Sequence, residues 1–265
     1  MVVPEVHISR HAHRNMDKQD VRETVWNALE TSGEARFPFP PHGRIPNFAG
    51  ASDACRRLTD TAEWDAAETL KCNPDAPQLP VRRAALRAGK AVYVAQPRLR
   101  DPEPFLRLDP ADIGDINDAT TVSGISTHGV PTAPEAIPHV DLVVSGSVGV
   151  TSDGARIGKG EGYSDLEWGL LSELGAVDSD TTVATTVHEL SLIDGSQSAI
   201  NTRDDLPDVD AHDVPLDLIV TPERVIRTNS SQPRPEGIDW DALGPEQLAE
   251  IPVLTERNPE KLKRD

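Results

Sequence analysis

The residues from Gly154 to Glu167 read GARIGKGEGYSDLE, a run of spaced glycines carrying two cations, a tyrosine and several acids. Glycine leaves backbone N–H groups free to approach an anion, and a helix N-terminus adds partial positive charge. Arg156 and Lys159 supply full charges, and Asp165 suits a metal ion held between phosphates. This is the chemistry of a nucleotide-phosphate site. The spacing matches neither standard fingerprint. Gly160 follows Gly158-Lys159 where a phosphate-binding P-loop needs Ser or Thr, and the glycines do not run as in a dinucleotide loop. Taken alone, the pattern fits a solvated turn as well as a phosphate cradle.

Other reactive residue types carry less. Lys18 and Arg22 stand four apart and share one face of a predicted helix, a spacing that usually marks a solvated face. Asp213 lies in Ala211-His212-Asp213-Val214-Pro215-Leu216-Asp217, where an acid at a strand start is usually a turn residue. The histidines show neither HExxH spacing nor a Cys/His pair, so a zinc centre is not indicated. Cys55 and Cys72 read as core residues, and the serines near Gly146 lack the spacing of a nucleophile elbow.

These residues need a scaffold, and the hydrophobic pattern predicts one. Asp17 caps a helix over about 18–31 with Val21, Val25, Trp26 and Leu29 on one face and Gly33 past its end. The run from Phe37 to Gly43 is proline-rich and predicts an extended loop. A helix is expected around 50–60, a strand from Ala67 to Cys72, and a helix running to Gly89. Further strands are expected at Ala91–Ala95, at Asp141–Ser145 with the stretch to Val150 as the approach to the glycine loop, at Thr182–Val187 and at Leu216–Val220, with Val225-Ile226 on an edge. A helix is expected from Leu166 to Leu174. Residues 97–140 are too rich in Pro, Asp and Gly to assign. Alternating strands and helices predict an α/β domain with a mostly parallel sheet. The domain reading is a flexible arm over 1–16, one α/β body over 17–227, and a linker with a short docking tail over 228–265.

The chain has 44 acids against 26 bases and a net charge of -18. Acids are spread over the whole length, which resembles a surface adapted to high salt, where ions screen self-repulsion. Broad nucleic-acid binding needs a basic face, and this balance argues against it. No apolar run reaches bilayer length, no secretory h-region opens the chain, and two cysteines give no disulfide framework. A cytoplasmic setting is the expectation.

Taken together, Lys18 to Arg22, Arg156 to Asp165 and His212 to Asp217 resemble the 5-formyltetrahydrofolate cyclo-ligase family, also called methenyltetrahydrofolate synthetases. That family carries Lys-x-x-x-Arg on its first helix, an Arg-Leu-Gly-x-Gly-x-Gly-Tyr-Tyr-Asp loop, and a closing His-Asp-x-x-x-Asp before a strand. Order and separation agree over roughly residues 18–227. Longer strings, Arg44-Ile45-Pro46-Asn47-Phe48, Lys71 to Gln78 and Gly158 to Glu167, resemble the branch of methenyltetrahydrofolate synthetase domain-containing proteins and their archaeal relatives.

The resemblance implies a Rossmann-like three-layer α/β/α fold, as in the sugar-isomerase and CoA-transferase group, and ATP-dependent closure of 5-formyltetrahydrofolate to its 5,10-methenyl form. It implies ATP and Mg²⁺ as cofactors and a folate or pterin substrate. Lys18, Arg22, Arg156 and Lys159 would contact phosphates with Gly158, Gly160, Gly162 and Ser164, and Lys18, Arg156 and Lys159 would carry the reaction. Tyr163 would contact the folate, and Asp165 and Asp213 would bind Mg²⁺. The chain differs from the family pattern at Glu161, Ser164 and Leu166, and it shows no acidic folate contact at Pro77-Gln78-Leu79-Pro80. A nucleotide- or RNA-binding regulatory protein on the same fold is the alternative reading.

Overall fold

The computed structural model describes residues 16–194, 200 and 206–259. The arm expected over 1–16, with His7, His11 and His13, lies outside the described residues except for Met16. Helix α1 is Lys18–Thr31. Its first turn is closed by a capping box, in which Asp17 accepts from the Asp20 amide at 2.7 Å and Asp20 accepts from the Asp17 amide. Such a cap is worth about 1 kcal/mol and fixes the direction in which Lys18 leaves the helix.

A two-stranded ribbon follows, β1 (Ala35–Arg36) with β2 (Asn47–Phe48), then α2 (Ala51–Thr59) and α3 (Ala62–Ala66). The βα alternation then runs β3 (Thr69–Cys72), α4 (Leu79–Arg87) and β4 (Ala91–Ala95). The unassigned stretch 97–140 folds as an antiparallel excursion, β5 (Phe105–Leu108) and β6 (Val130–Thr132), with short helices α5 (Ile116–Ala119) and α6 (Val122–His128) between them. Asp115 and Thr121 cap those two helices, so the Asp-rich composition that obscures them also starts them. Strand β7 (Leu142–Val144) leads to the ribbon of β8 (Gly149–Val150) and β9 (Arg156–Ile157), then α7 (Tyr163–Glu173), β10 (Thr182–Thr186), β11 (Leu218–Val220) and β12 (Val225–Arg227). Helices α8 (Pro245–Glu250) and α9 (Pro252–Arg257) close the described chain.

Eight strands form one sheet in the order β12-β11-β10-β7-β3-β4-β5-β6. The five from β11 to β4 are parallel, and the edge strands are antiparallel. Central strands are buried on both faces, as their unbroken apolar composition requires. Alternation splits the core in two. Leu70, Cys72, Val92, Val144 and Ala184 face α1, α2, α3 and α4. Val143, Val183 and Ile219 face α7, and Ile238, Ile251, Val253 and Leu254 pack into that same second core. The result is the three-layer α/β fold. No helix among the described residues is long and apolar enough to cross a membrane.

The strand expected at Asp141–Ser145 forms as β7, and the approach to Val150 carries β8. One helix start differs from the sequence expectation and bears on the site. Helix α7 starts at Tyr163, three residues before the expected Leu166, because Gly162 takes a left-handed φ of 71° and turns the chain straight into the helix. Tyr163, Ser164 and Asp165 are therefore first-turn helix residues and not loop residues.

Candidate active site

The strand order reverses between β3 and β7. The chain goes from β3 to β4 on one side and later returns to place β7 on the other. In parallel sheets the loops diverge at such a point and leave a crevice beyond the carboxyl ends of the strands. Here that crevice is a cleft of about 380 Å³. Its walls come from Asn73, Pro74 and Asp75 after β3, Gln96 and Arg98 after β4, Gly146 after β7, and the segment from Gly158 to Asp165. Asn73 joins the two diverging loops, since its Oδ1 accepts from the Gly146 amide at 3.2 Å and its Nδ2 donates to Ser164 Oγ at 3.0 Å.

The glycine loop connects β9 to α7 and is braced from α1. Arg22 Nε donates to the Gly158 carbonyl at 2.7 Å. Gly160 has φ of 106°, and a Cβ there would stand 3.3 Å from the Arg22 guanidinium carbon. Only glycine allows this backbone and this approach together. Burial draws the Arg22 pKa down, against the charges of Asp17 and Asp213. Lys159 pairs with Glu161 at 2.8 Å and stays partly exposed on the cleft wall. The N-terminus of α7 receives no side-chain cap, so its amides open toward the loop.

Arg156 is the buried hub. Its Nη2 donates to Asp165 Oδ1 and its Nη1 donates to the Gly146 carbonyl at 3.1 Å. Its Nε is buried and has no hydrogen-bond partner among the described residues. Burial opposes its charge, but Asp165 outweighs burial, with help from Asp213 and Glu167, and holds the guanidinium pKa above the usual value. Asp165 Oδ1 also accepts from the Val214 amide at 3.2 Å, which draws the segment before β11 against α7.

Lys18 meets that same segment. Its ammonium lies 2.6 Å from Asp213 Oδ2 and 2.7 Å from Asp210 Oδ2. Burial pulls the Lys18 pKa down, but both carboxylates outweigh it and the net shift is upward. The hydrogen bond from Lys18 in turn lowers the pKa of Asp210. Ligand atoms of Asp210, His212 and Asp213 lie within 4.8 Å of one another. Asp165 is outside that group and faces Arg156, so each carboxylate expected on a metal carries a cation as its present partner. Ser164, expected on a nucleotide, accepts from Asn73 Nδ2 through its hydroxyl oxygen. Tyr163 is half-buried on the cleft wall.

Several cleft residues escaped the sequence reading. Asp75 reaches the wall, and burial raises its carboxyl pKa despite opposing charges from Lys159 and Arg82. Arg82 is fully buried and donates to the carbonyls of Asn73, Asp75 and Thr120, which shapes the loop carrying Asp75. Burial pushes the Arg82 pKa down to about 10. Arg98 on the cleft wall and the buried Leu99 after it hold left-handed φ angles of 59° and 51°, a backbone strain found mostly at functional loops. Glu167, one turn beyond Tyr163, also lines the cleft. The signal available for Asp75 was its place just past the end of a parallel strand, where ligand-facing residues gather.

The residue set fits a polyphosphate with a divalent ion. Uncapped helix amides, a buried guanidinium with an unused N–H, and Lys159 offer donors to phosphate oxygens. Asp210 and Asp213 offer the oxygen ligands that Mg²⁺ prefers.

The profile of the 5-formyltetrahydrofolate cyclo-ligase family matches residues 14–222. A methenyltetrahydrofolate synthase domain-containing protein from Mus musculus is 40% identical over 242 residues, which cover 90% of this chain and 62% of that protein. The Bos taurus protein of the same name is 38% identical over 242 residues, covering 90% and 61%. The chain thus spans about three fifths of the length of these relatives. Among solved structures, the 5,10-methenyltetrahydrofolate synthetase of Aquifex aeolicus superposes with a TM-score of 0.49 at 17% identity, covering 82% of this chain and 96% of that one.

Proposed function

Because the chain belongs to the 5-formyltetrahydrofolate cyclo-ligase family, we propose that it closes the formyl group of 5-formyltetrahydrofolate, or of a related formyl pterin, to the 5,10-methenyl form, with ATP spent as its Mg²⁺ complex and ADP and phosphate released. The observation that carries the proposal is the glycine loop and uncapped α7 N-terminus set at the switch point of the sheet, beside Arg156 and Lys159. When bound, ATP would supply the phosphoryl group that makes the formyl oxygen a leaving group. Phosphoryl transfer asks the protein mainly for positioning and charge neutralisation.

The chain's own residues divide that work. Amides of Gly158, Gly160 and Gly162 and the first turn of α7 would receive phosphate oxygens. Lys18, Arg22, Arg156 and Lys159 would neutralise them. Asp165 and Asp213 would hold Mg²⁺ while sharing their remaining oxygens with Arg156 and Lys18. Tyr163 would lie against the pterin. Asp75 would take the proton that N10 must lose as it bonds to the formyl carbon, and its raised pKa makes it a better base near neutral pH than an ordinary carboxylate.

The test is direct. The purified protein, in high salt with ATP, Mg²⁺ and 5-formyltetrahydrofolate, should generate the absorbance of the methenyl product. ATP binding without product would overturn the reading and favour a regulatory nucleotide-binding role.

A further inference from the structure

Lys71 is a lysine shut off from the surface. It stands on β3 near the middle of the sheet, 1% exposed, on the face that packs against α7. It lines a small cavity with Val143, Trp168, Leu171 and Val214 and the hydroxyl residues Ser145 and Ser164. Its carboxylate partner is Glu167 on α7, itself 4% exposed. Two charges removed from water this thoroughly rarely add stability, because an apolar pair of similar volume does as well or better. The pair calls for another explanation.

Its placement offers one. Glu167 lines the cleft, while Lys71 lies behind it. Tyr163 and Glu167 are four apart on α7 and share the face turned to the cleft. Glu167 Oε2 is buried and held by the Lys71 ammonium, while Glu167 Oε1 makes no hydrogen bond among the described residues. A nearly buried carboxylate, one oxygen held by a fixed cation and the other still able to accept, therefore lines the cleft. Asp75 stands close enough on the same cleft for the charge of Glu167 to act on it.

We propose that Glu167 is a substrate-anchoring subsite in the inner wall of the cleft: its carboxylate accepts hydrogen bonds from the amino and ring N–H edge of a reduced pterin, and Lys71 is the positioning residue that fixes it. This rests on the cyclo-ligase reading for the identity of the ligand. A buried acceptor of this kind selects strongly, since a substrate lacking the donors leaves the carboxylate unpaired.

The experiment compares Glu167→Gln and the double variant Lys71→Met/Glu167→Met with the unaltered protein. Equilibrium binding of 5-formyltetrahydrofolate and of ATP is measured by calorimetry, and KM and kcat are measured by turnover. The double variant removes both charges at near-constant volume and should melt close to the parent. We expect formyl-pterin affinity to fall by about 10-fold or more in both variants, the size of a lost charged hydrogen bond, with ATP affinity unchanged. A double variant that folds and binds the formyl pterin like the parent would show that the pair is structural and overturn the inference. An equal loss for ATP would do the same. Parent protein that binds the formyl pterin without turning it over would defeat the cyclo-ligase reading yet still test Glu167. A parent that binds no formyl pterin would overturn both.

Discussion

Replacing Arg156 by Met tests the hub of the site and the physics behind it. The Arg156 side chain is 3% exposed and its partner Asp165 12%. The substitution keeps much of the stem but leaves the Asp165 carboxylate with the Val214 amide and leaves the Gly146 carbonyl without its guanidinium donor. Breaking one side of a buried pair costs about 3–5 kcal/mol, against a total stability of about 5–15 kcal/mol for a natural domain. For a chain of this size that is a fall in Tm of roughly 6–20 °C. Denaturant unfolding in high salt, followed by circular dichroism, measures it, with an unchanged m-value as the check that the unfolding reaction is the same. The loss should persist across salt concentrations, because a buried pair is barely screened. Removing both charges, Arg156→Met with Asp165→Leu, should restore most of the stability while Mg²⁺-dependent use of ATP stays lost. A single-variant loss below about 1 kcal/mol, or a double variant as weak as the sum of the singles, would refute the reasoning.

The remaining predictions concern the loop and the cleft. Gly160→Ala should weaken ATP binding in calorimetry and cost about 1–3 kcal/mol in denaturant unfolding, because alanine resists φ of 106° and presses on Arg22; a variant with parental stability and ATP affinity would count against the assigned strain. For Asp75, burial raises the folded pKa above the unfolded value, so its proton favours the folded state below the unfolded carboxylate pKa of about 4, and that contribution is lost as pH rises through the folded value. Asp75→Asn should therefore gain stability relative to the parent as pH rises from about 4 toward neutrality. A Tm difference between the two that does not change with pH would remove the basis for that shift.

Much of the scaffold was open to a reader of the sequence. Val21, Val25, Trp26 and Leu29 announce α1 by helical spacing, and Asp17 announces its start. The β-branched runs at β4, β7, β10 and β11 announce a buried parallel sheet. What stayed hidden has local causes. Strands of two or three residues, such as β1, β2 and β6, carry too few alternations to show a period. The region 97–140 hides its helices because their capping residues are also turn formers. Helix α7 began early because Gly162 can serve equally as loop glycine or as left-handed cap, and only the surrounding backbone decides.

The sequence by itself determined the elements and the chemical types at the glycine loop, since spacing, capping and residue charge are local properties. It could not say which distant groups meet. That Arg22 of α1 braces Gly158, that Lys18 reaches Asp213 across 195 residues, and that Asp75 and Glu167 come to one cleft follow from the reversal of strand order between β3 and β7. The buried pairs Lys71–Glu167 and Arg156–Asp165 are likewise tertiary facts. Lys71 and Glu167 would be ordinary solvated charges in an unfolded chain. Only packing takes away their water and sets Glu167 on the cleft wall with Lys71 behind it.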